Sequence, residues 1–163
     1  MFREMRRRKQ LLSKEECEAV LNRGTSGVLA VDGDEGYPYA VPLSYVYENS
    51  KLYFHCAKQG HKLDAIKRNE KVSFCVIDDD NIVPEEYTTY FRSVIVFGKA
   101  RILEDEGEKR KAMEILAAKY SPDHEEGRMK EIDREFNLLK MIELTVEHMS
   151  GKEAIEYVKE KSK

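Results

Sequence analysis

The chain has 163 residues, 41% of them hydrophobic and 36% charged, and a net charge of −3. That length suits one domain over 1–163 with a core of its own, and the mildly negative balance argues against bulk nucleic-acid binding. Cys17, Cys56 and Cys75 are far apart and form no C-x-x-C pair, which speaks against a disulfide framework or structural zinc site and for reduced thiols in a cytoplasmic protein.

The basic start Arg6-Arg7-Arg8-Lys9 is not followed by the apolar run of a secretory signal; it reads as a solvated arm or a dimer contact. No apolar run approaches the ~18 residues of a membrane span. Ser13-Lys14-Glu15-Glu16 has the capping-box pattern and predicts a helix over 13–23, stopped by Gly24. Strands are predicted over 27–31, 37–47 and 52–57, with a turn cluster at 32–36 and another at Glu48-Asn49-Ser50. Pro42 falls inside the second of these strands. It cannot donate to a ladder and so marks an edge or a bulge.

Helical spacing returns over 61–69, followed by a strand over 71–77. Asp78-Asp79-Asp80-Asn81 reads as a solvated loop, and 82–91 carries no decisive pattern. A long strand is predicted over 93–103, helices over 106–120 and about 126–138, and a last strand over 141–146. Ser150-x-x-Glu153 resembles the opening of a final helix. About six strands come in clusters without regular strand–helix alternation. The expected class is α+β, mainly β, an antiparallel sheet or barrel with helices packed outside.

Two segments could carry chemistry. In 53–63 a strand ends, Gly60 permits a tight turn, and a helix begins with His61 and Lys62. A helix start presents free N–H groups and a partial positive charge, so an anion such as a phosphate is well placed there. A basic residue opposes the helix dipole at that end, and Lys62 is either an anion ligand or a solvated lysine. His55 lies in an aromatic and apolar strand, where a histidine is most often a core or interface residue. His55 and His61 have no nearby third ligand, and no metal site is expected. Cys56 reads as structural or as a polar cofactor contact rather than a nucleophile. In 37–45, Pro42 either makes a plain bulge or frees backbone groups for the polar edge of a heterocycle.

The order and spacing of several segments resemble one family. They are Met5-Arg6-Arg7-Arg8-Lys9, Gly36-Tyr37-Pro38-Tyr39-Ala40-Val41-Pro42-Leu43-Ser44-Tyr45, Tyr53-Phe54-His55-Cys56-Ala57, Gly60-His61-Lys62-Leu63, the run from Tyr90 to Ala100, and Ser150-Gly151-Lys152. The chain resembles the 5-nitroimidazole-resistance (Nim) branch of the pyridoxamine 5′-phosphate oxidase-like FMN-binding split barrels. The resemblance implies a six-stranded antiparallel split barrel that dimerises, with FMN sites at the subunit interface. It implies that Lys62 pairs with the FMN phosphate, that His61 stands as a second basic residue, and that Val41, Pro42, Leu43 and Ser44 line the ring. His55, Cys56 and Ala57 would lie along ring and ribityl chain, and Ser93 and Val94 would approach from a neighbouring strand, of this subunit or its partner. Cys56 replaces a small hydroxyl or glycine common in the family.

The function implied is an FMN-dependent oxidoreductase that passes electrons from a reduced nicotinamide or another donor to a small acceptor, a nitro-heterocycle in the relatives, with His55 as proton donor. Two alternatives stand beside it. One is a flavin sensor or store without turnover. The other is a haem-binding barrel, with His55, His61, His124 or His148 as axial ligand. Oxidation of pyridoxamine phosphate itself ranks lower, because its basic substrate-phosphate motifs are not evident.

Overall fold

A reciprocal capping box opens the first helix of the structure, a computed structural model that covers residues 1–163. The Glu16 N–H donates to the Ser13 hydroxyl (3.1 Å), and the Ser13 N–H donates to the Glu16 carboxylate (2.7 Å). This helix, α1 (Lys14–Arg23), buries Cys17, Val20 and Leu21. The strands are β1 (Ser26–Asp32), β2 (Pro38–Ser44), β3 (Val46–Glu48), β4 (Lys51–Ala57), β5 (Lys71–Val83), β6 (Thr88–Ile102) and β7 (Leu139–Glu153). Helix α2 (His61–Arg68) follows β4, α3 (Glu106–Tyr120) and α4 (Glu125–Glu135) lie between β6 and β7, and α5 (Ile155–Lys161) ends the chain. No helix is long and apolar enough to cross a membrane.

The ladders are antiparallel and run β2-β1-β5-β6-β7-β4-β3. The two ends of that order, β2 and β3, are consecutive in the chain and separated only by Tyr45. The sheet therefore closes on itself. The segment predicted as one strand over 37–47 serves both ends, pairing with β1 through its first half and with β4 through its second. Counted by ladders there are seven strands; with β2 and β3 as one bent strand, the six expected of a split barrel.

Strict alternation fills the barrel. Leu29 and Val31, Leu52 and Phe54, Val72, Phe74 and Val76, Val94 and Val96, and Ile142 and Leu144 all point inward and are buried. Phe74 meets Tyr45 and Phe54 edge-on at 5.1 and 5.0 Å, the geometry aromatic rings favour. Leu63, Ala65 and Ile66 of α2 join this core. A second cluster lies outside the barrel, where Met113, Leu116 and Ile132 of α3 and α4 pack with Val46, Leu103 and Met141.

Two expectations fail. The acid run 78–81 is strand, not loop: β5 continues past a bulge between Ile77 and Asp79 and forms a long hairpin with β6, turning at 84–87. Two of the three acids are tolerated because they are paired, and the third, Asp80, is exposed. Asp78 binds Arg23 and Arg92, and Asp79 accepts from the Tyr157 hydroxyl. Likewise 150–153 does not open a helix. Ser150, Gly151, Lys152 and Glu153 pair with Ile95, Val94, Ser93 and Arg92, and α5 starts after Ala154 without a side-chain cap. Gly98 marks a second bulge, where a Cβ would run into the Thr145 carbonyl.

Candidate functional site

The barrel is open along one line. From Pro38 to Ser44, β2 has β1 on one side and no strand on the other. From Phe54 to Ala57, β4 has β7 on one side and no strand on the other, because β3 reaches only to Tyr53. Two strand edges that began as neighbours thus part after Tyr45. Pro42 sits in register opposite Val28 with no bulge, so it is an edge proline, where its missing N–H costs no interior ladder bond.

Tyr45 and Tyr120 fix the point of parting. Tyr45 is fully buried and its hydroxyl donates to the Leu21 carbonyl at 2.7 Å. Its N–H donates to the Tyr120 hydroxyl at 3.0 Å, and that hydroxyl lies 2.7 Å from the Tyr45 carbonyl and 2.6 Å from the Thr25 carbonyl. A side chain from the end of α3 thus satisfies the backbone where the ladder breaks. The Lys119 ammonium lies 4.2 Å above the Tyr45 ring and donates to the Gly24 carbonyl; burial pushes its pKa down.

The far end of the split is the start of α2. The His61 ring stacks on Tyr39 of β2 at 4.1 Å, which holds the helix N-terminus against that strand. Gly60 adopts φ +154° and a Cβ there would meet nothing within 4 Å, so the space beside the helix start is open. No side chain caps this helix. Lys62, in its first turn, is half-buried and makes no ion pair. Lys62 and Lys140 both act on the Cys56 thiol, and a second group of lysines surrounds Lys109. Lys140 is the register partner of Cys56, and Lys109 is pushed down by burial and by the charges of Lys140 and Lys58. Lys140 has a partner in Glu104 at 3.5 Å; Lys58 has none.

His55 points outward from β4, exposed and without a hydrogen bond, with Met141 as its register partner. Ser44 and His55 open into a cleft of about 450 Å³ between the outer face of β4 and β7 and the helices α3 and α4. Met141 completes its floor, Met113, Leu116, Ala117, Tyr120 and Ile132 form the walls, and Glu131 and Glu135 stand at its side.

The residues singled out in the sequence divide by the strand alternation. Pro42, Ser44, His55 and Ala57 face outward along the split, and Lys62 stands at its end. The side chains of Val41 and Leu43 pack against the core, leaving only their backbone at the edge. Cys56 is turned into the barrel at 8% exposure, and its thiol donates to the Lys140 carbonyl at 3.7 Å. Burial pushes that thiol pKa up, against the pull of Lys62 and Lys140. The His61 Nε2 is already engaged by Asp34, whose carboxylate lies 3.6 Å away. That nitrogen accepts the Asp34 N–H at 3.2 Å, and a nitrogen so used donates nothing to an anion. Val94 is fully buried. Ser93 lies opposite Ile77 and Lys152, in mid-sheet, with β5 and β1 between it and β2 and with β7 between it and β4, about 14 Å from β2 at ~4.8 Å per strand spacing. In a single chain neither Ser93 nor Val94 reaches the split. Ser93 shares its face with the exposed Ile77, Ile95 and Phe97, and Val28 of β1 is exposed beyond them.

Sequence reasoning missed Tyr120, Lys140 and the helical walls of the cleft. The spacing of Met113, Leu116 and Ala117 signals a buried helix face, which it also is. Nothing in the sequence tells which part of that face stops short of closing on the sheet.

Comparison with known proteins places this geometry. Residues 13–153 match the sequence model of the family described as pyridoxamine 5′-phosphate oxidase. No curated protein matches. Among solved structures, one is a Bacteroides thetaiotaomicron protein provisionally assigned to 5-nitroimidazole antibiotic resistance. It is 26% identical, with a TM-score of 0.73, over 87% of this chain and 85% of that one. An FAD-binding protein from Mesorhizobium loti is 28% identical, with a TM-score of 0.60, over 89% and 97%. The FAD- and haem-binding protein of Mycobacterium smegmatis shares the fold at 20% identity and a TM-score of 0.74, over 90% and 73%.

Proposed function

The chain belongs to the pyridoxamine 5′-phosphate oxidase family, and from that premise we propose that it is an FMN-binding oxidoreductase of the cytoplasm, working as a homodimer on small acceptors such as nitro-heterocycles. One observation carries the reading: two unpaired strand edges, 38–44 and 54–57, run to an uncapped helix start that holds the unpaired cation Lys62. A flavin mononucleotide fits this set of groups. Its ring needs apolar contacts with backbone donors and acceptors along one edge, and its phosphate needs N–H groups and a positive charge. Relatives that bind FAD support a flavin in general; a single helix start with one unpaired first-turn cation favours the mononucleotide.

When bound, the flavin supplies the electron transfer, from a reduced nicotinamide or another donor to the acceptor. The chain does the rest. Backbone at Val41, Pro42, Leu43 and Ser44 holds the ring edge. Lys62 and the first amides of α2 hold the phosphate. Ala57 and the backbone of Cys56 flank the ribityl chain. His55, whose imidazole is free of other bonds, gives a proton to the acceptor as it is reduced. Ser93 belongs to the second subunit's contribution, with Val94 buried in the barrel core behind it. The exposed sheet face of Val28, Ile77, Ile95 and Phe97 supplies apolar surface for that dimer.

The test is an absorption spectrum of the purified protein, followed by heat release and identification of any ligand. Flavin bands and released FMN are expected. A Soret band would replace this reading with a haem site, for which His55 and the exposed His124 are the open ligands: His61 is bonded to Asp34, and Phe2 is stacked on His148. Bound FMN with no acceleration by any donor would leave a flavin store. A colourless protein that takes up no added FMN would overturn the assignment.

A further inference from the structure

The cleft under α3 and α4 is separate from the strand edges that line the split and opens on them at only two residues, Ser44 and His55. Its volume of about 450 Å³ lies within the ~300–1,000 Å³ usual for small-molecule sites. Seven of its eleven lining residues are hydrophobic, and two of these, Met113 and Met141, are thioethers that make favourable contacts with aromatic rings. No lysine or arginine lines it. Its ionised groups are Glu131 and Glu135, both held by Arg134 at 2.6 and 3.2 Å. Two carboxylates against one guanidinium leave the lining itself net negative; the Lys119 ammonium, 5.7 Å from the Tyr120 ring centre, is committed to the Gly24 carbonyl. Tyr120 offers it no free hydroxyl, because that group is committed to backbone.

Resting on the flavin reading above, we propose that this helical cleft, not the split itself, is the acceptor-binding site. It selects flat apolar molecules that are uncharged or cationic and rejects carboxylates of the same shape. Ser44 and His55 form the shared wall: one side faces the ring edge, the other the acceptor. Ala117, on the α3 wall, sets the depth available to an aromatic ligand. Glu131 and Glu135 are specificity residues, acting through the field at the cleft and touching none of the reacting atoms.

The test uses the flavin-loaded protein with no reductant present, so that binding is read apart from turnover. Three probes of one shape are titrated by calorimetry: para-nitrobenzylamine, para-nitrobenzyl alcohol and para-nitrobenzoate. The amine and the alcohol are expected to bind and the benzoate to bind weakest. Ala117→Phe should abolish binding of all three while retaining its flavin spectrum and its melting temperature. The double change Glu131→Gln and Glu135→Gln should narrow the amine-to-benzoate ratio by about two- to fivefold, the scale of exposed charge interactions. Both glutamates are on the surface, so this variant remains informative if Ala117→Phe does not fold. Benzoate binding as tightly as the amine, an unchanged ratio in the double variant, or wild-type probe binding by a folded Ala117→Phe would each overturn the proposal. So would a folded Ala117→Phe that has lost its flavin, since the cleft would then hold the ring. If the wild type takes up no flavin, the flavin reading fails, and the same titrations on the flavin-free protein decide the cleft by itself.

Discussion

Two flanks of the barrel treat their polar groups in opposite ways. Where β5, β6 and β7 meet α1 and α5, charge is buried and fully matched. Asp78 binds Arg23 at 2.6 Å and Arg92 at 3.1 Å, while Glu153, 2% exposed, binds Arg92 at 3.2 Å and Lys161 at 2.5 Å. The Arg92 guanidinium also lies 4.7 Å from the centre of the Tyr157 ring. Along the split, by contrast, two strand edges, one helix start, Lys62 and His55 have no partner in the chain. Both flanks are rich in polar groups, so polarity alone does not mark a site. What separates them is satisfaction: a seam that answers every charge holds elements together, and an edge that leaves them open waits for something from outside.

The largest effect is expected on the sealed flank. Arg92→Ala removes the cation shared by Asp78 and Glu153 and leaves each with one partner, on the order of 3 kcal/mol by the usual cost of breaking a buried pair. The midpoint of urea unfolding should fall at constant m; an unmoved midpoint would show that the seam is ornamental. Acid probes matched pairs of this kind, on this flank at Asp78 and beyond it at Glu143, which is paired with Lys51 of β4 and Arg101 of β6. The hydrogen bond from Arg23, opposed by burial and aided by Arg92, holds the Asp78 carboxyl below its ordinary value. For Glu143, burial raises the carboxyl, but hydrogen bonds from Arg101 and Lys51 outweigh it. Folded values lowered in this way add stability that is complete above about pH 5 and is lost as pH falls below about 4. Urea midpoints at a series of pH values should therefore drop on the acid side, and less steeply in Asp78→Asn.

On the open flank the expected effect is on the ligand rather than the fold. Lys62→Ala should weaken FMN binding about ten- to a hundredfold, the worth of ~1.5–3 kcal/mol for a charge-assisted contact. Its unfolding midpoint should stay close to that of the wild type, because Lys62 pairs with nothing in the chain. Unchanged affinity in a flavin titration would move the phosphate away from α2. If the variant were destabilised as much as Arg92→Ala, the contrast between the flanks would collapse.

Much of this was legible in the residues. The capping box at Ser13, the turn at Gly60 and the basic helix start at Lys62 are local signals, and local signals survive folding. The alternation of 52–57 places His55 and Cys56 on opposite faces, although only the structure shows which face is core. What was not legible is long-range. The acids 78–81 look like a loop until Arg23, 55 residues away from Asp78, answers one of them. Ser150-x-x-Glu153 looks like a cap until β6 claims it as strand. His61 looks wholly free until the N–H of Asp34, 27 residues earlier in the chain, takes its Nε2. In each case a distant partner outweighs the local pattern.

The smallest effect is expected at the boundary between the flanks, where Tyr45 changes sides from one ladder to the other. Tyr120→Phe keeps the ring in the cleft wall and removes only the hydroxyl that accepts the Tyr45 N–H and reaches the Tyr45 and Thr25 carbonyls. An unanswered, partly buried backbone group costs about 1–2 kcal/mol. Stability should fall by that amount, less than in Arg92→Ala. Because the same hydroxyl fixes where β2 leaves β4, loosening it should also weaken FMN binding a few-fold, less than Lys62→Ala does. The pair of readouts is the point of the experiment. A loss of stability with unchanged FMN affinity would mean that the split keeps its shape without Tyr120. A loss of affinity at full stability would mean that the hydroxyl serves the ligand directly and not through the strand.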